Sequence, residues 1–294
     1  GQRNKPGRGS ICESSGLVFG LIFVCEGYSL GNHQPIGVFD SGVGGLSVLR
    51  HIHQMLPSER LLYVADSAFM PYGTQSPEMI SERSHLITRY FIKRGAKAVV
   101  VACNTATAAA VESLRADFSI PIIGMEPAVK PAVEATGSGV IGVLATSGTL
   151  TSEKFTKLVK RFDSHAKVVF QPGTGLVEQV EAGELHSEKT RALLQEHLAP
   201  LLLRGADVLV LGCTHYPFLT PLIRELVGGD VVILDTGSAI ATELKRQLEK
   251  SKIMAARDAT TEVSFFSSGV NARVEPMMSQ LWGEPVLVNP LKIE

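Results

Sequence analysis

The chain is short of the residues on which several protein classes depend. Its four cysteines are spread over 294 residues, with no Cys-x-x-Cys pair and no clustered Cys/His spacing. That argues against a disulfide framework and against a structural zinc site. No His/Asp/Glu cluster has metal-ligand spacing, and no lysine stands in a pyridoxal-phosphate setting. An excess charge of either sign is missing too: charged residues make up 19% and the net charge is −1. The chain therefore has no electrostatic footprint for nucleic acid or for an anionic membrane. Long hydrophobic runs are absent. The apolar stretch Leu17–Cys25 is far shorter than the roughly 20 residues a membrane-spanning helix needs. It follows a basic start with Arg3, Lys5 and Arg8, in the outline of a secretory signal, but no small-x-small cleavage site precedes Glu26. Nucleotide fingerprints are lacking as well. In Asp40-Ser41-Gly42-Val43-Gly44-Gly45-Leu46-Ser47, Ser47 stands where Gly-x-Gly-x-x-Gly needs its third glycine, and there is no Gly-Lys-Ser/Thr. What is left is a cytoplasmic enzyme with reduced thiols, working without metal or cofactor.

One passage is stated twice. Arg94-Gly95-Ala96, an apolar strand and Cys103-Asn104-Thr105 return 110 residues later as Arg204-Gly205-Ala206, an apolar strand and Cys213-Thr214-His215. Ahead of each copy, Ile36-Gly37-Val38-Phe39-Asp40-Ser41 is echoed by Ile141-Gly142-Val143-Leu144-Ala145-Thr146. Two similar halves would present two similar thiols to one ligand. Cys12 and Cys25 lie outside both copies, in residues 1–35, which read as a non-core extension.

From Ile36 onward, β-branched runs alternate with amphipathic stretches at βα spacing. Strands are expected at 36–40, 60–65, 97–102, 121–124, 139–144, 167–170, 207–211, 231–234, 262–267 and 285–288. Helices are expected at 44–56, 77–94, 105–117, 127–136, 151–163, 174–182, 187–204, 216–227, 237–250 and 271–282. The fold class is α/β: two pseudo-symmetric domains with mainly parallel sheets and the active site in the cleft between them. The expected division is 36–127 plus 238–294 for the first domain and 128–237 for the second. Ligands of such sheets bind beyond the carboxyl ends of the strands, where Asp40, Cys103, Thr146 and Cys213 all fall.

Cys103 and Cys213 each sit where a strand meets a helix start, a setting whose free N–H groups lower a thiol's pKa below its ordinary value of about 8.5. Either alone would pass for a small buried filler; matched registers favour chemistry. The glycines after Asp40 would let backbone N–H groups close around a small carboxylate. Asp40 itself is a pKa-setting partner for a thiol, an acceptor for an ammonium group, or a helix cap. His215 could exchange a proton with Cys213. Pro71-Tyr72-Gly73 reads as a turn near the sheet edge. Thr146 and Thr149 offer hydroxyls at the strand end matching Asp40, and Glu178 and Glu181 could reach the cleft from a mostly apolar helix.

Together, Asp40 to Ser47, Pro71-Tyr72-Gly73, Ala102-Cys103-Asn104-Thr105-Ala106 and Gly212-Cys213-Thr214-His215-Tyr216-Pro217 resemble the signature set of bacterial glutamate racemases, in order, from Ile36 to about Leu287. The resemblance implies cofactor-independent interconversion of L- and D-glutamate, the D form feeding peptidoglycan synthesis. It implies Cys103 and Cys213 as the two acid/base thiols, Asp40 and His215 as their partners, and Glu181 as a further helper. Substrate contacts would come from Asp40, Ser41, Tyr72, Gly73, Asn104, Thr105, Thr146, Thr149, Thr214 and His215. A homodimer is the family expectation. Glu178 stands where many members have proline, so Glu178 and Glu181 compete for the helper's place. An aspartate or hydantoin racemase would share the paired thiols. A two-domain small-ligand binding protein would enclose a ligand in the same way with inert cysteines, and a redox protein would need the two thiols close enough to bond.

Overall fold

The computed structural model describes residues 33–162, 164–256 and 262–293. Cys12, Cys25, the basic start and the apolar run lie outside the described residues.

Among the described residues ten strands form two sheets, in which all neighbouring strands run parallel. In chain order they are β1 (Ile36–Asp40), β2 (Leu61–Ala65), β3 (Ala98–Val101), β4 (Ile122–Ile123), β5 (Val140–Ala145), β6 (Lys167–Pro172), β7 (Val208–Gly212), β8 (Val232–Leu234), β9 (Val263–Ser267) and β10 (Val288–Pro290). Strands β1, β2, β3 and β7 are buried at every residue, as parallel strands covered on both faces must be, and this explains their continuous apolar runs.

The first sheet has the order β10-β9-β2-β1-β3-β4 and the second β6-β5-β7-β8. The second repeats the run β2-β1-β3-β4 of the first, with β6 for β2, β5 for β1, β7 for β3 and β8 for β4, so the sequence echo is a repeat of topology. In each sheet the order reverses beside β1 or β5, and the crevice at that switch point is where such sheets bind ligands. Asp40 ends β1 and Cys103 follows β3; Thr146 follows β5 and Cys213 follows β7. Buried apolar residues of both sheets join in one cluster, from Val38 and Val43 through Tyr216 to Leu144 and Leu211.

Three expectations need correction. The helix expected at 151–163 is two, Ser147–Leu150 and Glu153–Lys160, because the hydroxyls of Thr146 and Ser152 each cap a new start. The helix expected at 216–227 opens as a tight turn, Tyr216–Leu219, before Thr220–Val227, with Pro217 and then Pro221 lacking the N–H that would bond backwards. The last strand is Val288–Pro290 rather than 285–288. Val286 N–H donates to Ser279 Oγ at 3.1 Å and Val288 N–H to Glu275 Oε2 at 2.8 Å, so side chains of the preceding helix hold this approach and Leu287 is left exposed. Among the described residues no helix is long and apolar enough to cross a membrane.

Candidate active site

Helix Asn104–Asp117 begins at Cys103, whose extended backbone and sulfur, accepting from Ala106 N–H at 3.5 Å, form the cap. The helix-start setting read from the sequence is therefore present, but its effect on the thiol is overruled. Cys103 is 5% exposed; burial, and next the charge of Asp40, push its pKa well above the ordinary range, against the downward pull of Ala106 N–H. Asp40 is fully buried and raised as well, by burial, with the His215 charge opposing. Its Oδ2 accepts from Gly45 N–H at 2.8 Å and from Thr214 Oγ1 at 3.3 Å, while Oδ1 has no hydrogen-bond partner. Asp40 thus bonds the backbone just ahead of helix Leu46–Met55, and its charge acts on Cys103.

A carboxylate kept in this state costs stability. Its folded pKa lies above its ordinary value of 3.8, so it favours folding only below that value and the benefit is lost as pH rises through the folded pKa. At neutral pH the group is a net cost to folding. Asp40→Asn, which keeps an acceptor for Gly45 and Thr214, is expected to melt above wild type at pH 7, with the gap closing towards pH 4. Thermal melts across that range check it, and a lower melting point for the variant at pH 7 would contradict it.

The second thiol has a different environment. His215 Nδ1 lies 3.8 Å from Cys213 Sγ and its Nε2 lies 2.7 Å from Glu181 Oε1. Burial works against the imidazolium, but the bonds and charges of Cys213 and Glu181 outweigh it and raise the His215 pKa well above normal. Glu181, not Glu178, is the carboxylate on His215. Glu181→Gln is expected to lower kcat by about 10- to 100-fold through loss of imidazolium orientation, whereas Glu178→Gln stays within about twofold of wild type. Equal losses in the two variants would sink the assignment.

The glycine loop after Asp40 does close around anions, but these are the protein's own. Val43 N–H donates to Glu181 Oε1 at 2.8 Å and Gly45 N–H to Asp40 Oδ2 at 2.8 Å. The expected carboxylate cradle for a ligand is thus occupied at two of its N–H groups. The glycines are needed for a close approach: a methyl at Gly42 would overlap Glu181 Oε1, and one at Gly44 would overlap the His215 ring.

Each thiol's partner is completed from the other half of the repeat. Glu181 is held by Val43, Asp40 accepts from Thr214, and Ser47 Oγ donates to the Thr214 carbonyl at 2.9 Å. Thr105 Oγ1 lies 2.9 Å from Thr146 Oγ1, which donates to Thr149 Oγ1 at 3.0 Å. Between the halves is a narrow cavity of about 10 Å³. Both thiols line it, with Ser41, Tyr72, Gly73, Asn104 and Thr105 from the first half and Thr146, Thr214 and His215 from the second. Asp40, Thr149 and Glu181 stand behind this wall. The sequence reading missed Val177, which lines the cavity, and Tyr63, whose hydroxyl donates to the Gly42 carbonyl at 2.8 Å. Neither carries a sequence signal beyond an apolar strand or helix position.

The Asp/Glu/Hydantoin racemase family pattern matches residues 36–244. The chain belongs to that family. Among relatives, the glutamate racemase of Stutzerimonas stutzeri (strain A1501) is 54% identical over 255 residues, spanning 86% of this chain and 96% of that relative. Among solved structures, a glutamate racemase isoform from Bacillus anthracis superposes with a TM-score of 0.82 at 33% identity, covering 89% of this chain and 98% of its own. The Escherichia coli glutamate racemase, solved in complex with L-glutamate and an activator, superposes with a TM-score of 0.78 at 31% identity, over 89% and 98% of the two chains. The two-sheet architecture of this racemase family member is thus shared along the whole length of those enzymes.

Proposed function

We infer that this chain interconverts L- and D-glutamate by moving a proton on and off Cα between Cys103 and Cys213, and that its D-glutamate feeds peptidoglycan synthesis. The observation that carries the reading is the pair of thiols at equivalent strand ends, lining one cavity, each backed by its own acid/base group. Inversion at Cα needs a base on one face and an acid on the other, and two thiols provide both in either direction without a cofactor. As one thiolate takes the Cα proton, the opposite thiol delivers its own to the other face and becomes the thiolate; the next turnover in reverse restores the pair. Asp40, which holds protons more readily than an ordinary carboxylate, is suited to accept the Cys103 proton. The His215–Glu181 pair offers Cys213 a cationic partner.

The chemistry of the cavity lining also suits an amino-acid dicarboxylate. Its lining contains no lysine or arginine, so carboxylates would be held by neutral donors, the hydroxyls of Ser41, Thr105, Thr146 and Thr214. Asn104 is buried with both amide atoms unpartnered, so it awaits a ligand with donor and acceptor side by side. Dry walls and fixed dipoles stabilise charge developing towards the substrate carboxylate. On the same reading the halves are residues 36–127 with 238–294 and residues 128–237, and the enzyme is a cytoplasmic homodimer. Circular dichroism of L-glutamate and separately of D-glutamate tests the function: wild type is expected to bring both signals to zero without added cofactor. Loss of signal from aspartate alone would move the substrate, and silence on every amino acid would favour a binding protein.

A further inference from the structure

Asp66 directly follows β2 and is fully buried, yet no step above uses it. Its carboxylate accepts two bonds from Arg83, from Nε to Oδ2 at 2.9 Å and from Nη2 to Oδ1 at 2.7 Å. A third comes from the Tyr72 hydroxyl to Oδ2 at 2.6 Å. A two-pronged guanidinium bond fixes the carboxylate plane as well as its place. The guanidinium in turn lies 4.0 Å from the centre of the Phe69 ring. Three elements meet here: the end of β2, helix Pro77–Lys93, and the segment 67–74 that brings Tyr72 and Gly73 to the cavity.

The geometry changes the meaning of Tyr72. Its side chain is 1% exposed and its hydroxyl is spent on Asp66. Burial, and next the Asp66 charge, push the phenol far above its ordinary range, so it remains a neutral donor. Tyr72 therefore gives the cavity its ring and backbone. On the other side, Gly73 abuts the second half of the molecule: a methyl there would lie 3.1 Å from Thr146 Cβ, and one at Gly148 would lie 3.2 Å from the Gly73 carbonyl. The segment thus touches across the cleft at the hydroxyl group of residues that faces the substrate.

We propose that Arg83 and Asp66 are positioning residues for substrate binding, locking Tyr72 so that the Tyr72-Gly73 segment closes against Thr146. They do not carry protons for the reaction, since the Asp66 oxygens are committed to Arg83 and Tyr72. The proposal rests on the racemase reading only for its kinetic assay. An interaction made equally in ground and transition states changes KM and leaves kcat. Tyr72→Phe, Arg83→Lys and Arg83→Met are therefore each expected to raise KM for both enantiomers by about 5- to 20-fold with kcat within about threefold. In the double variant Arg83→Met/Tyr72→Phe, KM is expected to match the worse single rather than the product, because both act through one chain of contacts. Calorimetric titration with D-glutamate should give Kd shifts of the same size, and it reads the positioning role even if wild type fails to racemise glutamate. Unchanged KM and Kd with a lowered melting temperature would overturn the proposal in favour of a purely structural role. So would a multiplicative double variant, which would put the Tyr72 hydroxyl on the substrate. Should Arg83→Met not fold, Tyr72→Phe and Arg83→Lys decide the matter, since both leave the buried Asp66 charge with a cationic partner.

Discussion

Cys103→Ala and Cys213→Ala are each expected to lose racemisation by about 10³-fold or more, yet to retain proton exchange at Cα of one enantiomer, a different one for each variant. The loss follows from the role of a positioned proton carrier, worth about 10²–10⁴-fold in a general acid–base step, at a site where the opposite thiol cannot reach the same face. Exchange is the more telling readout. The equilibrium constant between enantiomers is one, so kcat/KM must be equal in both directions for every variant, and steady-state rates cannot tell the two thiols apart. With one thiol left, its thiolate can still remove the Cα proton that points at it and return a deuteron from solvent to the same face. In deuterated water, one variant should label L-glutamate without inverting it and the other D-glutamate. Nuclear magnetic resonance of the Cα position follows this directly. If either variant still racemises at more than a small fraction of the wild-type rate, or if both label the same enantiomer, the two-thiol assignment is wrong.

Gly42→Ala is expected to lower kcat by about 10²-fold with little change in melting temperature, and Gly44→Ala to lower both. These glycines do not adopt a left-handed backbone, so the cost of a methyl is steric. At Gly42 it meets the far end of Glu181, a side chain that can swing away at small cost to folding. In swinging, it leaves both Val43 N–H and His215, and the imidazolium loses the carboxylate that orients it. A supporting group misplaced by about an ångström costs on the order of 10² in rate. At Gly44 the methyl meets the His215 ring itself, which is 1% exposed and has nowhere to move. If the loop instead served as an anion cradle for the substrate, both variants would raise KM with kcat preserved. Steady-state kinetics with thermal melts separates the two cases.

The difference between these readings of the glycine loop marks where sequence reasoning ended. Strand positions were legible because parallel strands buried on both faces are runs of Val, Ile and Leu bounded by polar turns. The pairing of β1-β3 with β5-β7 was legible because the same passage occurs twice. Cys103 and Cys213 came from that repeat, and Asp40, Asn104, Thr105, Thr214 and His215 from adjacency to it. What the glycines face was not legible, since Glu181 and His215 lie far from Gly42 and Gly44 in the chain. The state of Cys103 was not legible either: a helix start is a local feature, whereas the burial and the Asp40 charge that overrule it depend on the packing of two sheets. Asp66 shows a simpler omission. It follows the last residue of β2 as Asp40 ends β1, and the strand-end rule that singled out Asp40 applies there too. Its partner Arg83, on a helix one element away, could be found only in three dimensions.

The outer strands of the first sheet have a bearing on the order in which the protein is made. β9 pairs with β2 along its whole length, from Leu61–Val263 to Ala65–Ser267, and β10 adds beyond it. During synthesis, the edge of β2 stays unpaired until the tail has emerged from the ribosome, and an open edge is an invitation to wrong pairing. The four strands of the second sheet, by contrast, lie in one stretch from Val140 to Leu234 and can close as a contiguous block. Nascent chains stalled near Gln280, where β8 has emerged and β9 has not, should accordingly resist protease between β5 and β8 while remaining sensitive around β2. The half that carries Asp40 and Cys103 is begun first and finished last, so the growing chain presents a completed Cys213 half before it has a completed counterpart.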